Sequence, residues 1–90
     1  MKSILQTSKY CWVCGNPNVE EHHVIFGTAK RSLSEKYGLK VYLCHEHHLG
    51  DKGVHHNPTL NLALKQFAQK KFEETHSHEE YMRIFKRNYL

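Results

Sequence analysis

The sequence predicts a small α+β fold: a Cys/His-rich module built on a two-stranded hairpin, followed by two C-terminal helices packed on it. Three observations predict it. Glu21–Phe26 and Lys40–Leu43 are short segments rich in β-branched and aromatic residues, the composition of strands. Beyond Asn57-Pro58 the Cys/His-rich part gives way to Leu, Lys, Gln, Phe and Glu with helical periodicity. Ninety residues suffice for one domain only, so positions 1–57 and 58–90 are read as core and tail of a single unit, 1–90.

The elements follow in order. Between the two strands lies a polar stretch, Gly27 to Gly38, too long for a tight turn and read as a connection, with Lys30 and Arg31 near its start and Lys36 near its end. After Leu43, the run Cys44-His45-Glu46-His47-His48-Leu49 begins a helix that Gly50 and Gly53 interrupt. Asn57 before Pro58 has the form of an N-cap with proline at the first helical position. Leu60, Leu64, Phe67 and Phe72 then set a helix over 58–75. Ser77-x-x-Glu80 resembles a capping box, and Tyr81, Ile84, Phe85 and Tyr89 continue on one face to about Asn88.

Composition narrows the function classes. The hydrophobic fraction is 39% and no apolar run approaches a membrane span, while Met1-Lys2-Ser3 leads into no signal-peptide core, so a cytoplasmic location is expected. Net charge is +4, spread evenly over both parts, which favours a polyanionic partner only mildly. Three cysteines cannot pair completely, whereas nine histidines, seven of them between His22 and His56, point to metal chemistry.

Cys11-x-x-Cys14-Gly15 and Cys44-x-x-His47 have the two-plus-two form of a structural zinc site, because a two-residue gap lets both side chains of a knuckle converge on one tetrahedral ion. Buried zinc also supplies stability that a small core lacks. Trp12, inside the first knuckle, is read as packing. His22 and His23 lie on a strand, where neighbouring side chains point to opposite faces, so one can ligate while the other faces substrate. His48 follows His47 directly; on a helix the two diverge by about 100°, and His48 is free for a second site.

These residues resemble the HNH, or ββα-metal, endonucleases, and within them a short phage-associated group with the same order of motifs. The matched elements are Cys11-x-x-Cys14, Glu21-His22-His23-Val24-Ile25, the stretch Gly27-Thr28-Ala29-Lys30-Arg31 with Ser34-Glu35-Lys36-Tyr37-Gly38, then Leu43-Cys44-x-x-His47-His48 and Gly53-Val54-His55-x-Asn57. The resemblance implies a hairpin and helix clasping one catalytic metal, braced by the zinc knuckle, and a DNA phosphodiester substrate. It implies that His22, His48 and His55 ligate a divalent ion (Mg2+, Mn2+, Zn2+ or Ni2+) and that His23 is the general base. Phosphodiester hydrolysis needs an activated nucleophile on one side of phosphorus and charge stabilisation on the other, and Arg31, with Lys30 and Lys36, would meet phosphate. Phage DNA processing is the setting it implies.

The chain departs from the family at its central asparagine, where Leu39 and Lys40 stand instead; the backbone of Gly38–Lys40 or another residue must orient the base, Asn57 being distant in sequence. His56 competes with His55 as third ligand. A second class of function is a catalytically silent zinc module that binds nucleic acid or protein, with its other histidines on a second structural ion. His23 separates the two, since a purely structural site has no use for an unligated histidine beside a ligand. His45, His76 and His78 are assigned no role, and Lys70-Lys71, Arg83, Lys86 and Arg87 are read as solvated helix faces.

Overall fold

The computed structural model describes residues 1–27 and 29–90. Its scaffold is one antiparallel pair, β1 (Glu20–His23) with β2 (Lys40–Leu43). The register places Glu20 opposite Leu43, His22 opposite Val41 and His23 opposite Lys40. A two-stranded sheet is marginal in water by itself, and here four helices surround it: α1 (Lys30–Tyr37), α2 (His45–His48), α3 (Pro58–Phe72) and α4 (His78–Phe85), with a single 3-10 turn at Val54–His56.

The expected connection between the strands is in fact α1. Strand β1 also ends at His23 rather than Phe26. The two corrections share a cause. Val24 and Ile25 are fully buried, but the Ile25 N–H donates to the Ser34 hydroxyl (3.1 Å), and that hydroxyl donates back to the Ile25 carbonyl. Ser34 of α1 thus satisfies the backbone that a longer strand would have paired. Helix α1 is hidden from periodicity because its one fully buried side chain is Ser34, and only Leu33 and Tyr37 add apolar contacts among charged and polar neighbours. Gly38 ends it at φ +72°, donating its N–H to Glu35 and Ser34 carbonyls, and Leu39 N–H follows onto Ser34 O (2.8 Å).

The tail forms as its caps dictate, with earlier endings than the sequence suggests. Asn57 accepts from Leu60 N–H (3.0 Å) and Ser77 from Glu80 N–H (3.1 Å). Helix α3 stops at Phe72 and α4 at Phe85, where Lys86 takes a left-handed conformation. Leu64, Ala68 and Phe72 of α3 and Tyr81 and Phe85 of α4 are fully buried with Val41, Leu43, Val24, Ile25 and Leu39. Aromatic edges join them: Phe72 meets Tyr81 at 5.5 Å and Phe85 at 5.9 Å between centroids, and Tyr37 of α1 meets Phe72 at 5.6 Å. Among the described residues no helix is long and apolar enough to cross a membrane.

Candidate metal centres and active site

Cys11, Cys14, Cys44 and His47 converge as their spacing predicts and are positioned to bind a metal such as zinc. The Cys14 and Cys44 sulfurs are 3.7 Å apart, and His47 Nδ1 is 3.2 Å from Cys44 Sγ and 3.7 Å from Cys11 Sγ. Metal bonds of about 2.3 Å to sulfur and about 2.0 Å to nitrogen place neighbouring corners of a tetrahedron roughly 3.5 to 3.8 Å apart, so the donor set fits, with His47 a few tenths of an ångström close to Cys44. Burial pushes the Cys11 thiol up, but backbone N–H groups of Cys44, Cys14 and Val13 outweigh it and bring it down to about 6, toward the thiolate that a metal requires. Gly15 closes the knuckle at φ +79° with its N–H on Cys11 O (2.8 Å). Trp12 N–H donates to Tyr42 O (2.8 Å), fastening the knuckle to β2, and its ring packs on Phe67 at 5.9 Å while remaining partly exposed.

A second group gathers His22 of β1, His48 of α2 and His55 of the 3-10 turn. Their ring centroids form a near-equilateral triangle of 5.2, 5.6 and 5.9 Å, and one nitrogen from each lies within 4.8 Å of the others. His22 is buried and its Nε2 has no hydrogen-bond partner, a costly arrangement unless something electrophilic takes the lone pair. Burial, then the neighbouring His48 and His55, pushes the His22 pKa down to about 3, and burial lowers that of His55, so both are neutral donors. His48 donates from Nδ1 to Glu20 Oε1 (2.8 Å), leaving Nε2 free, the usual orientation of a ligating imidazole. The same carboxylate contacts His45 Nδ1 at 3.3 Å, and its pKa is lowered first by His48 and then by His45. The three imidazoles could hold a metal ion.

His23 lies outside that triangle but in the same pocket, of about 280 Å³, with Arg31 beside it and Phe26 as an apolar wall. Strand alternation separates the partners of the histidine pair rather than their cavity. His23 Nε2 donates to Glu35 Oε1 (2.9 Å), and Arg31 Nε donates to His23 Nδ1 (3.4 Å). Glu35 is held well below the usual carboxylate range, first by this bond and then by the Met1 ammonium and Lys40. Lys40, nearly buried, reaches Glu35 at 3.0 Å and Glu21 at 3.2 Å; burial works against its charge, but the two carboxylates outweigh it and raise its pKa. Glu21, His23 and Glu35 could themselves surround a cation, but the Lys40 ammonium already bridges the two carboxylates.

The remaining expectations fall out as follows. His56 is exposed and lines a different cleft, with His47 and Asn57, so the third imidazole of the triangle is His55. Asn57 caps α3 and is far from the role of the family's asparagine. Lys30 and Arg31 belong to the first turn of α1 and not to a loop, and Arg31 reaches the pocket. Lys36 sits in the last turn over the Tyr37 ring (5.5 Å) and does not line this pocket. Thr28, within the matched Gly27–Arg31 stretch, lies outside the described residues. Sequence reasoning missed Glu20, Glu35 and Lys40. For Glu20 a signal existed, an acid two residues before the histidine pair; Glu35 needed the unrecognised helix, which sets it four residues from Arg31. Compared with protein-family models, with curated proteins and with solved structures, the chain has no match.

Proposed function

We propose that the protein is a metal-dependent endonuclease of the HNH type that hydrolyses DNA phosphodiester bonds. The observation that carries this reading is an unligated histidine, His23, held by a carboxylate beside three convergent imidazoles and an arginine in one pocket. A structural ion is closed by four protein ligands, whereas three imidazoles leave a position open, and neither arrangement uses an unligated histidine. Hydrolysis needs a base as well.

The roles follow from the contacts. A carboxylate can only accept, so Glu35 fixes His23 with its proton on Nε2, and Arg31 donating to Nδ1 favours the same tautomer. His23 Nδ1 is then the lone pair that takes the proton of an attacking water when Arg31 turns to a phosphate oxygen. Glu35, itself anchored by Lys40, stands in for the asparagine that the sequence lacks, while Leu39 O, accepting from Val24 N–H (3.0 Å), secures the backbone after the base. His22, His48 and His55 would hold the divalent ion, with Glu20 orienting His48; when bound, the ion would stabilise charge on the leaving oxygen. The Cys3His site braces the hairpin and takes no part in chemistry.

The test is nicking of supercoiled plasmid in magnesium, manganese, nickel or zinc. We expect cleavage with at least one of these ions, and His23→Ala to lower its rate by about two to four orders of magnitude with fold and zinc content retained. If the wild type leaves plasmid intact with every ion, the protein is instead a zinc-bearing interaction module.

A further inference from the structure

Lys65 of α3 is half-buried, with its Nζ 4.7 Å from the centroid of Phe26 and 5.2 Å from that of Tyr89. Arg87, past the end of α4, places its guanidinium 5.3 Å from the same Tyr89 ring. Lys30 opens α1. Burial first, and then the charges of Arg87 and Lys30, lowers the pKa of Lys65. Crowding cations onto a partly desolvated ammonium is unfavourable, and aromatic faces offset only part of that. Elsewhere in this chain a nearly buried lysine is neutralised: Lys40 bridges Glu21 and Glu35. Among the described residues no carboxylate forms an ion pair with Lys30, Lys65 or Arg87.

The arrangement is also held rigidly. Tyr89 N–H donates to Gln69 Oε1 (2.8 Å), Tyr89 O accepts from Gln66 Nε2 (2.9 Å), and Gln69 Nε2 donates to Asn88 Oδ1 (2.8 Å). Gln69 is fully buried, so the segment carrying Arg87 is tied to α3 beside Lys65. Phe26 joins this cluster to the histidine triangle, since the ring that faces Lys65 also meets His55 at 5.2 Å and His22 at 5.8 Å. Arg31, next to Lys30, lines the pocket itself.

We infer that Lys65 and Arg87, drawn from α3 and from the segment after α4, form a phosphate-binding subsite that holds the DNA backbone one aromatic ring away from the three-histidine pocket. This rests on the nuclease reading for its substrate. Two cations without an ion pair among the described residues, one on α3 and one on the segment tied to it, complement neighbouring phosphates, and they bind without reading bases. The helical tail is thereby part of the substrate surface.

Binding of a short fluorescent duplex DNA, measured by anisotropy across a salt series, tests this. Zinc-loaded protein in a His23→Ala background keeps the probe intact. Lys65→Gln and Arg87→Gln should each weaken binding several-fold and reduce the slope of log Kd against log salt by about one. Lys70→Gln, which removes the same charge elsewhere on α3, should leave the slope unchanged, and Lys65→Arg should restore binding. The inference is overturned if Lys65→Gln and Arg87→Gln match the Lys70→Gln control, or if they weaken binding to anionic lipid vesicles while sparing DNA. Should Lys65→Gln fail to fold, exposed Arg87 decides alone. The two readings fail separately. Salt slopes that respond in a protein that never nicks plasmid remove the nuclease and keep the subsite; nicking with unresponsive slopes does the reverse.

Discussion

Single carboxylates set the chemistry of the histidines. His48 is a candidate ligand because Glu20 occupies its Nδ1, and His23 a candidate base because Glu35 occupies its Nε2. Partners of ligating imidazoles tune affinity without touching the ion. Glu20→Ala should therefore weaken binding at the three-histidine site by about 10- to 100-fold while leaving the Cys3His zinc in place. Calorimetric titration of zinc-loaded protein with nickel or manganese checks this, and unchanged affinity would show that Glu20 merely pairs with surface histidines. Sequence offered only a hint of Glu20, an acid two residues before the histidine pair, and none of Glu35. Their roles depend on register and on α1, which bring Glu20 to α2 and Glu35 to the end of β1.

At the scale of elements, α1 connects the hairpin to the site. Ser34 bonds both backbone groups of Ile25, Glu35 and Arg31 contact His23, and Gly38 ends the helix so that the chain can enter β2 at Lys40. Gly38 has two reasons to be glycine. Its φ is +72°, and an added Cβ would lie 2.5 Å from the Lys2 carbonyl oxygen. The left-handed conformation alone costs a side chain about 1 to 2 kcal/mol, and the close approach adds to it. Gly38→Ala should destabilise the fold by about 2 to 4 kcal/mol, seen in urea as a lower midpoint with an unchanged slope. A midpoint within experimental error of wild type would mean that the N-terminal segment yields freely. Periodicity found α3 and α4 because their buried faces are apolar, whereas α1 buries a serine and displays lysines and an arginine.

For the whole molecule, two ions would do different work. The Cys3His site ties the segment before β1 to β2 and α2, through Cys11 and Cys14 on one side and Cys44 and His47 on the other. A ninety-residue chain with a two-stranded sheet has little core to spare, and a structural zinc contributes folding free energy directly. Cys11→Ser should lower the melting temperature by about 10 °C or more and release zinc. His48→Ala should leave both nearly unchanged and abolish nicking. Calorimetry with metal analysis separates them, and equal losses from the two variants would mean a single shared site.

The sequence by itself determined the two-plus-two knuckle, the two strands, the two capped tail helices and a histidine-rich stretch in which His55 and His56 both stayed open as third ligand. Those features are local: a two-residue gap, a period of two, an N-cap before proline, a density of histidine. Tertiary structure alone decided what surrounds them. It made Lys30–Tyr37 a helix, α1, placed His55 and not His56 with His22 and His48, gave Glu35 and Glu20 to His23 and His48, and drew Lys65 beside Phe26 and Arg87 beside Tyr89. Most of these contacts join residues far apart in the chain, and no spacing encodes them, because they arise only when β1 pairs with β2 and the tail buries Leu64, Phe72, Tyr81 and Phe85 against that pair.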